Sequence, residues 1–580
     1  MSKGSAFRFV QPRKTVEIHL PDGRVIAGPR GESVGNFLRG LQPGEKDSEA
    51  APIVGAIVNQ ELRELTYPII MDARVKPITM DEPDGMLIYR RSLTFLLDAA
   101  FDDLFPEAVL IVDHSVSSGG YYCHIKGRPP LSEDELNQLQ GHMRELVDAD
   151  LIFTKREAPI AEAIAYFAAK NYEDKVRLLK HRLKDYLTLY RLEDHQDYHH
   201  GYMVPSTGYL QWFSLVPTNG GFTLQFPRRQ KPTALSPLPE YPKLLATFRE
   251  YGDWLDHLGI GSVGTLDDAI QEGRSRGIIL VSEALHEQRI ASIASTLAAR
   301  HNQVRIVLIS GPSSSGKTTF SKRLSVQLLA QGLSPFAIEM DNYFLDRERT
   351  PRTADGEYDF ESITALDIER LENDLRRLIY GKRVRLPRFD FKTGRQENGD
   401  IIQLQENQLI LLEGIHGLNP KLLSGISSDT TFRIYVSALT QLNLDRHNRI
   451  STTDTRLIRR IVRDARERGY SARETINRWT AVRQGEKMNI FLYQENADIM
   501  FNSALVYELA ALKPFAEPLL RQVQFGSAEY IEAKRLLSLL EWFLPLDPDL
   551  IPDNSILREF IGGSILREFK LWQVIDRLAS

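Results

Sequence analysis

The octet Gly311-Pro312-Ser313-Ser314-Ser315-Gly316-Lys317-Thr318 decides the fold of this 580-residue chain. An apolar, β-branched run, Ile306 to Ile309, precedes it, and Phe320, Leu324 and Leu328 follow at helical spacing. Strand, glycine-bearing loop and helix form the context in which GxxxxGK[ST] becomes a P-loop. The glycines let the backbone curl so that successive N–H groups point inward. The helix start adds its positive dipole end, and the loop can then cradle nucleotide phosphates. On this reading Gly311, Ser313, Ser314, Ser315, Gly316 and Thr319 line the cradle. Lys317 reaches the β/γ-phosphates and Thr318 ligates Mg²⁺.

A P-loop alone does not separate kinases from GTPases or motor ATPases, so the next segments carry weight. The strand Phe336-Ala337-Ile338-Glu339-Met340 ends in Asp341-Asn342-Tyr343-Phe344. An acid at the carboxyl end of a parallel strand faces the crevice where ligands sit. There Asp341 could accept a proton from an attacking hydroxyl or help hold Mg²⁺; a helix N-cap is the structural alternative. A third strand, Gln408 to Leu412, ends in Glu413-Gly414. That is the place of a Walker B carboxylate, a hard oxygen ligand suited to Mg²⁺, against a solvated strand end as the bland reading. Downstream, Arg456, Arg459, Arg460 and Arg463 recur at three- and four-residue spacing, so several share one helix face. Such a run is by default a solvated face. Beside a P-loop it reads as a lid whose guanidinium groups stabilise a transferring phosphoryl group.

With these elements in place, residues 303 to 503 resemble the uridine kinase/phosphoribulokinase family of P-loop kinases. The resemblance also draws on Tyr358-Asp359-Phe360, Leu386-Pro387-Arg388-Phe389-Asp390-Phe391, Leu412-Glu413-Gly414-Ile415 and Asn496-Ala497-Asp498. It implies Asp341 as catalytic base and Glu413 as a Mg²⁺ ligand. It implies a substrate pocket with Asp359 on ribose hydroxyls, Phe389 beside the nucleoside, and Tyr343 within the same motif. Arg456 would sit near the substrate, and Arg459 and Arg463 near the ATP phosphates. Two positions depart from the family: Gly394 stands where a base-reading His is expected, and Arg478 where a Gln is expected. Glycine offers no side-chain hydrogen bond, and Arg donates only, so uracil recognition is not implied.

The N-terminal half reads differently. Val16-Glu17-Ile18-His19-Leu20-Pro21-Asp22-Gly23 suggests a strand and hairpin turn, Ser33 a cap for a short helix, and Ala56-Ile57-Val58-Asn59 a further strand. This module resembles the ubiquitin-like TGS domain. Residues from about 87 to 230 resemble the second, editing domain of threonyl-tRNA synthetase. The stretches concerned are Arg91-Ser92-Leu93, Leu104-Phe105-Pro106-Glu107-Ala108, Gly119-Gly120-Tyr121-Tyr122 and Phe153 to Phe167. That family's HxxxH pair is matched by Arg91 and Phe95, and Cys123 is the only cysteine, so the editing ligands are absent. His195, His199 and His200, with Asp194 and Asp197, could hold a metal if His195 and His199 shared a helix face, but they read as a solvated loop because Gly201 and Pro205 follow closely.

The expected fold class is α/β. A P-loop kinase domain with a mostly parallel sheet follows a ubiquitin-like TGS domain and an α+β synthetase-like domain. The expected boundaries are 1–79, 80–230, a linker and helical connector at 231–302, the kinase-like domain at 303–503, and a helical region at 504–580. A short repeat, Ser555-Ile-Leu-Arg-Glu-Phe560 and Ser564-Ile-Leu-Arg-Glu-Phe569, reads as two amphipathic turns around Gly562-Gly563. Net charge of −5 and a pI near 6.3 give no global drive toward nucleic acid or anionic membrane. The single cysteine excludes an intrachain disulfide, and the N-terminus (Met1 to Arg8) lacks a signal-peptide core, so cytoplasmic residence is expected. The functional expectation is a kinase using ATP and Mg²⁺ on a sugar hydroxyl, foremost the 5′-hydroxyl of a nucleoside, with ATP versus GTP open. Two alternatives stand: a kinase for a non-nucleoside alcohol, and a translation-linked protein that binds tRNA through its N-terminal half and uses the P-loop as a switch. A homo-oligomer is left open.

Overall fold

A computed structural model describes residues 13–42, 50–116, 119–352, 356, 358–390, 392–405 and 408–569. Met1 to Arg8 and Phe391, used above, lie outside the described residues. The chain forms two compact units. The first comprises Met1–Pro239 with Asp445–Arg449 and Gln524–Ile531; the second comprises Glu240–Leu444, Ile450–Val523 and Glu532–Ser580.

The first unit opens with a five-stranded sheet in the spatial order Val25–Pro29, Thr15–His19, Ala73–Thr79, Ile53–Val58, Glu61–Arg63. Thr15–His19 pairs antiparallel with its hairpin neighbour and parallel with Ala73–Thr79. Its buried Val16 and Ile18 alternate with outward-facing residues, the period-two pattern of a sheet covered on one face. Val34–Leu38 is helical, and the Ser33 hydroxyl accepts the Asn36 N–H as its cap. A 22-residue helix, Pro83–Leu104, then starts with proline in its first turn, where a missing N–H costs nothing. Its Leu93, Leu96, Leu97 and Phe101 enter one core with Val112, Phe153, Phe213 and Leu224. Around that core lie a four-stranded antiparallel sheet (residues 109–126 and 214–225) and a three-stranded one (Thr154–Pro159, Tyr186–Leu192, His195–Asp197).

The second unit begins with helices Pro242–Leu258, Val263–Gln271 and Ser275–Ala299. Its centre is a five-stranded sheet in the order Ser334–Glu339, Gln408–Glu413, Ile306–Ser310, Thr431–Ser437, Ile499–Asn502, with every pairing parallel. All five residues of Ile306–Ser310 are buried. Continuous apolar runs of this kind mark strands covered on both faces. Helices Lys317–Ala330, Thr452–Arg468, Ala472–Asn489 and Glu508–Arg521 also belong to this unit, as does a hairpin of Val384–Asp390 with Arg395–Ile402. The α/β class with a parallel sheet is the one the sequence indicates.

Candidate functional site

The loop after Ile306–Ser310 folds as its composition requires. Gly316 has φ +82°, a left-handed conformation that favours glycine, and helix Lys317–Ala330 starts directly after it. Gly311 lies so near the next strand that a Cβ there would come within 1.9 Å of the Val436 carbonyl oxygen. The hydroxyls of Ser314 and Ser315 are buried and find no hydrogen-bond partner among the described residues. A loop with orphaned hydroxyls at a helix start, where N–H groups lack intrahelical partners, suits a polyphosphate. Lys317 Nζ donates to the Pro312 carbonyl at 3.1 Å, and burial lowers its pKa against the pull of Glu413, Glu559 and Glu486.

Three acids converge where the parallel strands end. Glu413 pairs in register with both Ile309 and Glu339, so the carboxyl ends of three strands are aligned. The Thr318 hydroxyl donates to Glu413 Oε1 at 2.8 Å. Burial pushes the Glu413 carboxyl up to about 7, although Lys317 and Thr318 oppose the shift. Asp341 follows the neighbouring strand in a short 3₁₀ turn, Met340–Tyr343. Its side chain keeps contact with solvent while protein surrounds it closely, and burial with the Glu339 charge raises its pKa. A hydroxyl and a hard carboxylate 2.8 Å apart, next to a phosphate cradle, fit a divalent cation such as Mg²⁺.

The arginine helix Thr452–Arg468 is not a solvated face. Arg456 and Arg459 are both buried. Arg456 Nε donates to the Ser313 carbonyl at 2.9 Å, and its Nη2 pairs with Glu486. Arg459 Nε donates to Glu508 at 2.6 Å and Nη2 to the Ser503 carbonyl at 2.8 Å. Arg460, not singled out for the phosphates, donates to Ser313 Oγ at 2.8 Å, whereas Arg463 pairs with the adjacent Asp464 at 3.1 Å. Glu486, on helix Ala472–Asn489, accepts the Ser313 N–H at 2.9 Å.

Several expected pocket residues are placed elsewhere. Tyr343 is fully buried and its hydroxyl donates to Asp374 at 3.3 Å, so it braces the core. Phe389 is buried edge-on to Phe344, with ring centroids 5.7 Å apart, inside the apolar cluster behind the site. Asp359 works locally: Oδ1 accepts the N–H groups of Glu361 and Ser362, each at 3.1 Å. A further acid near Lys317, Asp341 and Arg460 is Glu361, which the sequence reading did not single out. Burial, with the Glu486 charge adding, raises it to about 7, and it also feels Arg460, Asp341 and Lys317. An acid directly after Tyr358-Asp359-Phe360 was the available signal. Gly394 turns the hairpin at φ +70°, with the Arg347 side chain where its own would project. Arg478 is exposed and stacks on Tyr470 at 4.1 Å.

The first unit holds a separate buried charge network, which corrects the solvated-loop reading of His195 to His200. His195 and Asp197 lie on a short strand, and His195, Asp197 and His199 are buried. Lys175 Nζ donates to both Asp197 oxygens at 2.8 Å and to Asp445 at 3.2 Å. His195 Nε2 meets Asp98 at 2.8 Å; burial opposes its charge, but Asp98 and Asp102 carry its pKa up to about 10. Asp98, Asp197 and His447 lie close enough to share a cation, yet the Lys175 ammonium already pairs with Asp197 and Asp445. Beside it, Phe95 packs on His195 and His199, and Arg91 donates to the Tyr202 carbonyl at 2.6 Å.

Comparison with known proteins finds two kinds of relative along the chain. Residues 306–509 match the model of the Phosphoribulokinase / Uridine kinase family. In the N-terminal half the chain is 31% identical over 208 residues to threonine–tRNA ligase of Geobacter sp. (strain M21), covering 36% of this chain and 32% of that one. The ligase of Legionella pneumophila (strain Corby) is 31% identical over 207 residues, covering 35% and 32%. The chain thus spans about a third of the length of these curated relatives. A solved structure described as a possible uridine kinase from Bacillus stearothermophilus is 22% identical. It covers 37% of this chain and 98% of its own, with a TM-score of 0.26. No described helix is long and apolar enough to cross a membrane.

Proposed function

We propose, taking the Phosphoribulokinase / Uridine kinase match over residues 306–509 as the premise, that this protein is a kinase using ATP and Mg²⁺. It moves the γ-phosphoryl group onto a sugar hydroxyl, foremost the 5′-hydroxyl of a nucleoside. The observation that carries the reading is the Thr318–Glu413 pair at aligned strand ends, with Asp341 closing the neighbouring strand. A nucleotide-binding switch has no need of an additional acid aimed at a hydroxyl.

In this mechanism Gly311 to Thr319 bind the triphosphate, with Ser314 and Ser315 offering their free hydroxyls. Thr318 and Glu413 would hold Mg²⁺, which would supply charge neutralisation to the polyphosphate. Asp341 orients the acceptor hydroxyl and takes its proton as the oxygen attacks the γ-phosphorus and the bond to the β–γ bridging oxygen breaks. Surrounding protein and the Glu339 charge raise the Asp341 pKa, which makes it a stronger proton acceptor. Arg456 and Arg460, already at the loop, stabilise the equatorial oxygens. Glu361 is the acid for the acceptor's other hydroxyls. Recognition of the base falls outside Gly394 and Arg478, which leaves room for acceptors other than uridine and cytidine.

The domain plan follows: residues 1–79 and 80–230 as TGS-like and synthetase-like modules, 231–302 as connector, 303–503 as the kinase, and 504–580 as a helical extension. The test is ADP formation by the full chain with Mg²⁺ against a panel of nucleosides and sugar alcohols, with Lys317→Ala as control. Acceptor-dependent ADP that disappears in the variant supports the kinase. ADP at one low rate with every acceptor refutes it. That outcome favours the second reading, suggested by the threonine–tRNA ligase matches, of a tRNA-binding protein with a nucleotide switch; its signature is salt-sensitive tRNA binding.

A further inference from the structure

We propose that the turn Ser555–Ile561 is an autoinhibitory plug. Its Glu559 carboxylate occupies phosphate-binding donors of the P-loop until a nucleotide displaces it. This rests on the kinase reading only in that nucleotide phosphates bind the loop.

Glu559 Oε2 accepts the Thr319 N–H at 3.2 Å and the Thr319 hydroxyl at 2.9 Å. Thr319 lies in the first turn of helix Lys317–Ala330, where N–H groups lack intrahelical partners and attract anions. The carboxylate is therefore a phosphate mimic on two of the cradle's own donors. It stands close enough to Lys317 to favour the charged ammonium.

The surrounding turn is built to hold it there. Ile556 and Leu557 are buried, and Ile556 Cγ2 lies 2.5 Å from where a Cβ on Gly316 would be. Phe560 is buried beneath the Arg459 guanidinium, 5.0 Å from the ring centre. Arg466 Nη2 donates to the Glu559 carbonyl at 2.9 Å, and Lys322 Nζ donates to the Leu566 carbonyl at 2.7 Å. The second copy of the repeat behaves differently: Ile565, the counterpart of Ile556, is exposed. Only the first copy thus brings its isoleucine against the P-loop, while the second offers Lys322 its backbone carbonyls.

At the other end of the loop, Glu486 takes the Ser313 N–H. Carboxylates sit at both ends of the path a triphosphate follows. Glu559 cannot share its donors with a phosphate oxygen, since the N–H serves one acceptor well and two anions at one helix start repel. Binding then selects the state in which Glu559 has left, and the apparent affinity falls by the fraction of molecules already open.

The experiment uses the full chain, with Mg·ADP as probe and Lys317→Ala as site control. Glu559→Gln keeps the side-chain shape and removes the charge. Calorimetry should show ADP binding about 10-fold tighter in Glu559→Gln than in the unmodified protein. Independently of any variant, hydrogen exchange of the 555–561 amides in the unmodified protein should accelerate when ADP saturates the site. Unchanged or weaker ADP affinity in Glu559→Gln overturns the proposal. So does undiminished protection of 555–561 at ADP saturation. ADP binding without acceptor-dependent transfer would refute the kinase reading and leave the plug standing; no ADP binding by either protein overturns both.

Discussion

Replacing Glu413 with Gln tests the electrostatics of the cleft directly. In the folded protein its pKa is about 7, against an ordinary value of 4.5. The folded value is the higher one, so the native state binds this proton more tightly than the unfolded chain. That stabilisation is fully present below pH 4.5 and is lost as pH rises through about 7. A difference of 2.5 pKa units (7 minus 4.5) corresponds to at most about 3 kcal/mol. Ionised Glu413 therefore costs the free protein up to that amount at pH 8. Glu413→Gln keeps an oxygen for the Thr318 hydroxyl and lacks the charge. It should match the unmodified protein at pH 4.5 and exceed its stability by about 3 kcal/mol at pH 8. Glu361, also at about 7, is common to both proteins and largely cancels in the difference. The assay is urea unfolding between pH 4.5 and 8, following the transition that Mg·ADP shifts. Mg·ADP should stabilise the unmodified protein increasingly with pH and the variant much less. A variant no more stable than its parent at pH 8 would refute the reasoning.

Two further outcomes follow from other residues. Asp341→Asn should lower kcat by about 10²–10⁴-fold while leaving the KM for nucleotide nearly unchanged, as expected when only the proton acceptor is lost; near-normal turnover would remove Asp341 as base. Lys175→Met strips the ammonium from buried Asp197 and Asp445 and should destabilise the first unit by about 3–5 kcal/mol, read in urea on the transition that Mg·ADP does not shift. Adding Asp445→Asn should restore part of that loss, and equal stability of Lys175→Met and its parent would show that the ammonium does not offset these carboxylates.

The parts of the site made by consecutive residues were legible in the sequence. The bend at Gly316, the helix after it and the acid closing strand Gln408–Glu413 follow from local pattern, and the parallel sheet follows from the apolar runs. What was not legible depends on segments brought together only by packing. Glu559 reaches Thr319 across 240 residues, and Glu486 reaches Ser313 across 173. Neither sits in a pattern that marks it as a phosphate competitor. Tyr343 and Phe389 were expected to face substrate, yet their apolar surface is better satisfied in the cluster behind the sheet. The histidines around Asp197 looked like a loop because their partners, Asp98, Lys175 and His447, are far away in sequence.

The discontinuity of the first unit has a consequence for the history of such a chain. Asp445–Arg449 belongs to that unit although the residues on either side belong to the other. Within it, Asp445 accepts from Lys175, Arg446 pairs with Asp174 at 2.6 Å, His447 faces Asp197 at 3.0 Å, and Arg449 donates to Ser115 at 2.6 Å. A fragment ending at Pro239 would strand half of each pair. The two modules can no longer be exchanged by a single cut and splice in the gene. A kinase domain that regained independence would have to rewrite this charged pentapeptide, so Asp-Arg-His-Asn-Arg before the arginine helix is a written trace of the partnership.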